Sequence, residues 1–593
     1  MLTSYANATL LHSSSLYLNI NIFCSCSYSE ELIWNGTLPC TPTNRHPEFL
    51  LYRAIEPWST PAKRAFSTRP VYDAQDSLEP VTEPSRIDKI RNAYSNPYPR
   101  LAVHPQYSTC EVFRSKYDHL LPKDILGQDL VVLYGRVRSQ RIVGSGLVFF
   151  DLWQNGHKVQ ILCNYNKLES TGITQQEFRG FYNLLQRGDV YSIVGQPHRT
   201  ARGELTLLAS ELPKLMSPCL HVVPVDTKKH EVSPYERHVQ LLADHGAADV
   251  LRIRSTIIQH IRNFFLKRSF IEVNTPIIAS AVGGAIAKPF HTTASEFPKQ
   301  ALSLRIAPEL WLKRLIVGGF DRIFEIGPSF RNEGLDKTHN PEFTTCEFYQ
   351  TFADLECLMR MTEDLLAGLS EELSCSDGKL STLNPTGANF ETPFRRLDFI
   401  PALENAMGHS LPDLKSVDAT TMVVEMFSKL VIPLPDHVSL PRLLDKLCAV
   451  YLEPQCTNPT FIMNHPECMS PLSKSYTHPA CNQVVAARAE LFVEGKEVVN
   501  AYEEENSPFE QRRKFQDQLL HRDPENPGEL DESYLQALEW GLPPTGGWGC
   551  GIDRLVMLFT GVHRIGDVLS FGNLRSVARL HGPTHPSSRS PDA

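Results

Sequence analysis

Three stretches of this 593-residue chain carry residue types suited to phosphate and carboxylate chemistry. In Phe324-Glu-Ile-Gly-Pro-Ser-Phe-Arg-Asn-Glu-Gly334, Arg331 closes a strand-like run, and a polar loop leads to a second run, Thr344-Thr-Cys-Glu-Phe-Tyr349. An arginine at a strand end can donate two parallel hydrogen bonds to a phosphate and neutralise charge that develops at phosphorus. Phe343 offers a flat face on which a purine can stack. In Gly546-Gly-Trp-Gly-Cys-Gly551, a glycine-rich strand runs into Ile552-Asp-Arg-Leu-Val-Met-Leu558 and places Arg554 in the first turns of a helix. Glycines admit a nucleotide close to the backbone, and a helix N-terminus favours phosphate. In Glu490-Leu-Phe-Val-Glu-Gly-Lys-Glu497, a turn at Glu494-Gly-Lys496 brings Glu490 and Glu497 near each other across a hairpin. Such a carboxylate pair suits Mg²⁺ beside a polyphosphate, because Mg²⁺ prefers oxygen and shares its shell with phosphates. Taken singly, each feature has a plainer reading: a surface salt bridge, a tight glycine packing, a solvated glutamate pair.

The elements that must hold these residues follow from periodicity. Asp129–Gly135, Leu147–Leu152, Val159–Cys163, Asp189–Val194 and Glu204–Leu208 alternate or carry branched residues as strands do. A helical pattern over Gln175–Leu185 lies between the third and fourth, the arrangement of a five-stranded OB-type barrel. A short helix is expected over Ile87–Tyr94, a helix-rich joint from Pro234 through Phe265, and a large mixed body beyond it. The stretch from about 375 to 460 is weakly patterned and reads as an insertion or helical subdomain. The expected division is a leader at 1–80, a barrel domain at 81–220, a hinge at 221–250, a main body at 251–580 and a tail at 581–593.

Bulk properties narrow the function classes. The net charge of −9 confines any RNA-binding surface to a local patch. The 14 cysteines are scattered, which argues against a structural zinc site or a disulfide framework. No run is long and apolar enough to span a bilayer, so no membrane association is expected. Pro61-Ala-Lys-Arg-Ala-Phe-Ser-Thr-Arg-Pro70 is basic, hydroxyl-bearing and acid-free, as organelle-import segments are. The expected compartment is the mitochondrial matrix, with the cytoplasm as the alternative.

Together with Phe270-Ile-Glu-Val-Asn-Thr-Pro276, the two arginine stretches resemble, in order and spacing, motifs 1, 2 and 3 of the class II aminoacyl-tRNA synthetases. Gly283-Gly-Ala-Ile-Ala-Lys-Pro-Phe290 and Leu304-Arg-Ile-Ala-Pro-Glu-Leu310 are close to the wording of the lysyl-tRNA synthetases, in particular a fungal-type mitochondrial form; the likeness runs from about Asn96 to Arg575. The resemblance implies an α+β fold: a class II antiparallel sheet with helices, preceded by an OB barrel. It implies ATP-dependent activation of lysine to lysyl-adenylate and transfer to the 3′ end of tRNA(Lys), with ATP as substrate, Mg²⁺ as cofactor and a homodimer built on motif 1.

Carried over position by position, Arg331 and Arg554 become the catalytic arginines, on the α- and γ-phosphates. Phe343 stacks adenine, His339 and Asn340 line the ATP loop, and Glu490 and Glu497 hold the metal. Gly284, Glu309, Glu347, Tyr349, Asn500, Tyr502 and Glu504 match the lysine-binding positions. Phe149, Gln160 and Glu204 match the anticodon-binding positions, and Arg136, Arg138 and Arg141 supply a basic edge. An ammonium wants carboxylates and a phenol, whereas an aspartate pocket needs a cation in place of Glu347 or Glu504. Ser303, Glu505 and Ser507 depart from the family wording, as does Lys337-Thr338-His339 from bacterial members with a second loop arginine. The rival readings are an aspartyl- or asparaginyl-tRNA synthetase, a catalytically dead RNA-binding paralogue, and an enzyme that lysylates a protein. Cys346 and Cys550 are expected to be packing residues.

Overall fold

The computed structural model describes residues 85–224, 237–280, 287–375, 386–520 and 530–578. The leader, Gly284 and the C-terminal tail expected from the sequence lie outside the described residues.

The first domain is a barrel of β1 (Val131–Val143), β2 (Leu147–Gln154), β3 (His157–Asn164), β4 (Val190–Arg199) and β5 (Leu205–Ala209), with α1 (Gln175–Leu184) between β3 and β4. β1, β2 and β3 form an antiparallel meander, β3 pairs parallel with β5, and β1 pairs with β4 to close the ring. Strict alternation drives this closure. Val148, Phe150 and Leu152 of β2 are buried in the barrel core while Phe149, Asp151 and Trp153 face outward. Burying Phe150 alone contributes roughly 1.5–3 kcal/mol. Thr174 starts α1 with a capping box to Glu177, and Phe178 and Phe181 plug one end of the barrel.

The second domain begins with α2 (His245–Lys267), whose buried Val250, Ile253, Ile257, Ile261, Phe264 and Phe265 recur at helical spacing. It leads into β6 (Ile271–Glu272), then α3 (Glu309–Val317), β7 (Arg322–Phe330), β8 (Glu342–Thr351) and α4 (Leu355–Ser374). β9 (Arg395–Asp398) is followed by helices α5 (Phe399–Met407), α6 (Ala419–Leu430) and α7 (Leu440–Tyr451), which share a separate apolar core. β10 (Thr460–Met463), β11 (Arg488–Val493), β12 (Lys496–Glu503), α8 (Glu532–Leu538), β13 (Thr545–Gly551) and α9 (Ile552–Thr560) complete it. The eight strands lie in the order β9-β10-β11-β12-β13-β8-β7-β6. The six central strands are antiparallel, and the pairings at the two edges are parallel.

One face of this sheet is packed against α2, α4 and α9, where Trp548 stacks on Phe348 at 5.1 Å and donates to Thr362. On the other face the alternation of β13 presents Thr545 at its start and then glycines alone: Gly547, Gly549 and Gly551. Gly547 lies opposite Tyr349 and Tyr502, and Gly549 opposite Glu347 and Asn500. The centre of the sheet is therefore a floor without side chains, walled by polar residues from both neighbours.

Candidate active site

Above that floor lies a cavity of about 1060 Å³, lined among others by Glu309, Arg331, His339, Phe343, Glu347, Glu490, Glu497 and Arg554. Arg331 follows β7 directly, and its backbone N–H donates to Pro341 O at 2.8 Å, which closes the loop onto β8. Its guanidinium lies 5.1 Å from the Phe343 ring and, among the described residues, donates one weak bond, to Ile306 O at 3.4 Å. Its planar fork thus retains donors for an anion. Arg554, in the first turn of α9, bonds His339 Nε2 at 2.9 Å and the Glu497 carbonyl at 3.1 Å. Asp336 anchors the other side of the His339 ring at 2.8 Å. Asn340 lines the cavity, but its amide is committed to Glu342 O and Leu574 N, so it shapes the loop.

The glutamate pair depends on an irregularity. Glu490 pairs across the hairpin with Asn500, and Phe492 with Glu497; a bulge lies between these two pairings. Since Glu490 and Phe492 share a face, the bulge brings Glu497 and Asn500 to that face although they are three positions apart. Burial works against the ionised Glu490, but Arg488 and His465 outweigh it and hold its carboxyl down at about 2. Glu497 moves upward through desolvation and then repulsion from Glu490. Two hard oxygen ligands beside an open, arginine-lined cavity fit Mg²⁺, which completes its shell from phosphate and water. Among the described residues no group of three or more His, Cys, Asp or Glu is arranged to hold a metal by itself.

The remaining wall is acidic. Tyr502 donates to Glu309 at 2.8 Å, and Tyr349 lies 3.3 Å from Glu347. Burial, then the Glu309 charge, pushes the Glu347 carboxyl up to about 8. Asn500 accepts from Arg488 at 2.9 Å and is held against the cavity. Glu504 is fully buried behind this wall, paired with Lys313. A Cβ at Gly547 would stand 1.8 Å from Glu504 Oε1 and 2.7 Å from Tyr349 Cε1, so only glycine leaves room for that carboxylate.

On the barrel, Phe149 and Gln160 lie on the outward face of β2 and β3, with Gln160 opposite Asp151. Arg141 covers the Phe149 ring at 4.9 Å, Gln160 accepts from Thr206, and Glu204 lies 3.5 Å from Lys158. The expected basic edge is only partly present. A bulge between Val137 and Ser139 turns Arg138 toward the second domain, where it bonds His245 Nδ1 at 2.7 Å, and Arg136 donates to Gly188 O. Arg141 alone of the three stays with the aromatic platform.

A family profile described as tRNA synthetases class II (D, K and N) matches residues 229–575, and one described as an OB-fold nucleic acid binding domain matches 131–215. The mitochondrial lysine–tRNA ligase of Schizosaccharomyces pombe is 40% identical over 492 residues, covering 81% of this chain and 91% of that protein. The lysine–tRNA ligase cla4 of Cladosporium cladosporioides is 38% identical, covering 82% and 83%. A probable cytoplasmic lysine–tRNA ligase of Encephalitozoon cuniculi is 38% identical, covering 76% and 88%. The chain belongs to the lysyl-tRNA synthetases.

For a lysyl-tRNA synthetase, the residues that the sequence reading passed over are those that orient the named ones. Arg488 grips both Glu490 and Asn500. Arg254 of α2 bonds Asp553 at 2.5 Å and Thr344 at 2.9 Å, while Asp553 accepts from Thr344 N, so motifs 2 and 3 are tied through one helix. The one available signal for Arg488 was its position two residues before Glu490, on the same strand face. Nothing in the sequence marked Arg254, which reads as an ordinary polar position on an amphipathic helix.

Proposed function

We propose that the cavity over the glycine strand activates lysine with ATP, and that the residues named above have distinct roles in this. As a lysyl-tRNA synthetase the chain is a lysine–tRNA ligase. The observation that carries the residue assignment is the convergence of Arg331, Arg554, Glu309, Glu347, Tyr349 and Tyr502 on one cavity. Arg331 bridges the α-phosphate and the lysine carboxylate, Arg554 takes the γ-phosphate, and Phe343 stacks the adenine, with His339 and Asn340 ordering the loop around it. Glu490 and Glu497 would hold Mg²⁺, which when bound would supply positive charge to the phosphate oxygens. Glu309, Glu347, Tyr349, Asn500, Tyr502 and Glu504, with Gly284, form the lysine pocket.

In the first step a lysine carboxylate oxygen attacks the α-phosphorus in line, the bond to the β-phosphate bridging oxygen breaks, and pyrophosphate leaves. In the second, a terminal ribose hydroxyl of tRNA attacks the carbonyl carbon, AMP departs with the bonding electrons, and the hydroxyl proton is released. Both steps rest on positioning and electrostatics; no side chain forms a covalent bond. Phe149 stacks a single-stranded anticodon base of tRNA(Lys) while Gln160 and Glu204 bond its edge, as suits an OB barrel. The working unit is a homodimer, and the acid-free run Pro61–Pro70 directs the chain to the mitochondrial matrix. Cleavage of the full chain near Phe66 on import into isolated mitochondria checks the address; an unprocessed, protease-accessible chain speaks for the cytoplasm.

Pyrophosphate exchange on the full chain, driven by each amino acid in turn, tests the chemistry. Exchange is expected with lysine, falling by about 10²-fold or more in Arg331→Ala. Exchange with aspartate or asparagine would overturn the pocket, and none from a folded protein would favour a non-catalytic paralogue.

A further inference from the structure

Lys313 is an unusual residue to find where it is. It lies on α3 with no exposed surface, one turn after Glu309, in a core that includes Leu310, Leu312 and Tyr534. Its Nζ stands 2.7 Å from Glu309 Oε1 and pairs with Glu504, and it lies 5.6 Å from the Tyr502 ring. Neither Lys313 nor Glu504 is among the residues that line the cavity, whereas Glu309, Glu347, Tyr349 and Tyr502 are. The cation is therefore behind the pocket wall, on the protein side, where an entering ligand does not displace it.

A charge count gives this placement a function. Glu309, Glu347 and Glu504 supply three carboxylates, and a free amino acid with a basic side chain brings two ammonium groups and one carboxylate. Arg331 answers the carboxylate. Three buried carboxylates against two ammoniums leave one charge uncompensated in a desolvated site, which is costly. Lys313 removes that excess. We propose that Lys313 is a positioning and specificity-determining residue of amino-acid activation, an internal cation that balances one of three carboxylates so that the pocket matches a doubly cationic amino acid. The proposal rests on the lysine pocket described above.

The groups facing Lys313 are Glu309 on its own helix, Glu504 and Tyr502 from the β12 segment, and Tyr534 of α8, with Glu347 and Tyr349 of β8 beyond them. Burial disfavours the Lys313 ammonium, but Glu309 and Glu504 outweigh it, so it stays charged across the working range. Burial holds the Glu504 carboxyl well above the usual carboxylate range; Lys313 opposes this, and without it Glu309 and Glu347 raise the carboxyl further, toward the neutral form that does not attract an ammonium.

Lysine-dependent pyrophosphate exchange by the full chain at pH 7 tests this. In Lys313→Met, which keeps most of the side-chain volume, the KM for lysine is expected to rise about tenfold or more at pH 7, with the KM for ATP within about twofold. Lys313→Arg should recover most of the affinity. An unchanged lysine KM in a folded Lys313→Met enzyme would overturn the proposal. So would a loss shared equally by lysine and ATP and not rescued by Lys313→Arg, which is the mark of a merely structural lysine. Should Lys313→Met not fold, Lys313→Arg and Lys313→Gln carry the same comparison, with affinity retained only in the charged variant. Glu504→Gln separates the two levels: if it leaves the lysine KM unchanged, the pocket reading itself fails. If it raises the KM and Lys313→Met does not, only this inference falls.

Discussion

At the scale of single residues, the site is built from groups whose charge state is set by what surrounds them. Glu347 shows the consequence. Its carboxyl is pushed up to about 8 by burial and by Glu309, so at pH 7 the ligand-free enzyme keeps it largely protonated. A lysine ammonium in the proposed pocket would favour the carboxylate, and binding would then release a proton. Isothermal titration of lysine at pH 7 in two buffers of different ionisation enthalpy should therefore report proton release, which Glu347→Gln diminishes. The same shift has a stability sign. Between the unfolded value of 4.5 and about 8, the native state binds the extra proton, so this group's stabilising contribution is complete below 4.5 and lost as pH rises through 8. Equal heats in both buffers would contradict the assignment of Glu347 to the pocket.

At the scale of elements, α2 does more than cover the sheet. Arg254 reaches through to Asp553 at the start of α9 and Thr344 at the start of β8, with side chains only 14% and 3% exposed for the ion pair. Removing one partner of such a pair strands the other charge and costs about 3–5 kcal/mol. Arg254→Met is expected to lower the urea midpoint accordingly and to reduce kcat for exchange, because Asp553 is the neighbour of Arg554. A variant as stable as the parent would show that motifs 2 and 3 hold their arrangement without the helix. A second buried pair, Arg305 with Glu325, is satisfied by Thr275 and Pro328 O and fixes the segment ahead of α3 in the same way.

At the scale of the whole molecule, the end of α2 and the segment after it leave apolar residues uncovered. Leu266, Ile271, Ile277 and Ile278 are 49%, 51%, 39% and 53% exposed, within and beside the motif 1 stretch Phe270–Pro276. Branched and leucine side chains clustered in one short segment are what a subunit interface buries. Sedimentation should give about twice the 66.9 kDa chain mass, and Ile271→Asp should shift the protein toward monomer. A parent that sediments as a monomer at micromolar concentration would remove the dimer from the proposal. The joint between the domains is polar and aromatic: Trp153 stacks on His245 at 4.1 Å, and Arg138 covers Trp153 at 4.8 Å. Trp153 lies on the outward face of β2, as Phe149 does, so one strand serves both the joint and the platform proposed for the anticodon.

The sequence by itself determined what local physics determines. Alternation in β1–β5 and the helical pattern of α1 were legible because side-chain period and capping depend on near neighbours. The glycines of β13 and the cavity arginines Arg331 and Arg554 stood out because their residue types suit a phosphate, and the structure brings both arginines to one cavity. Phe149 and Phe150 could not be told apart from composition; only the register of β2 within the closed barrel sends one outward and the other into the core. Glu490 and Glu497 were legible as a hairpin pair, but not the bulge that turns Glu497 to the face shared with Glu490. Lys313, Arg254 and Arg488 were silent in the sequence. Their partners lie far along the chain or on a neighbouring strand, and only the tertiary structure decides which buried charge meets which.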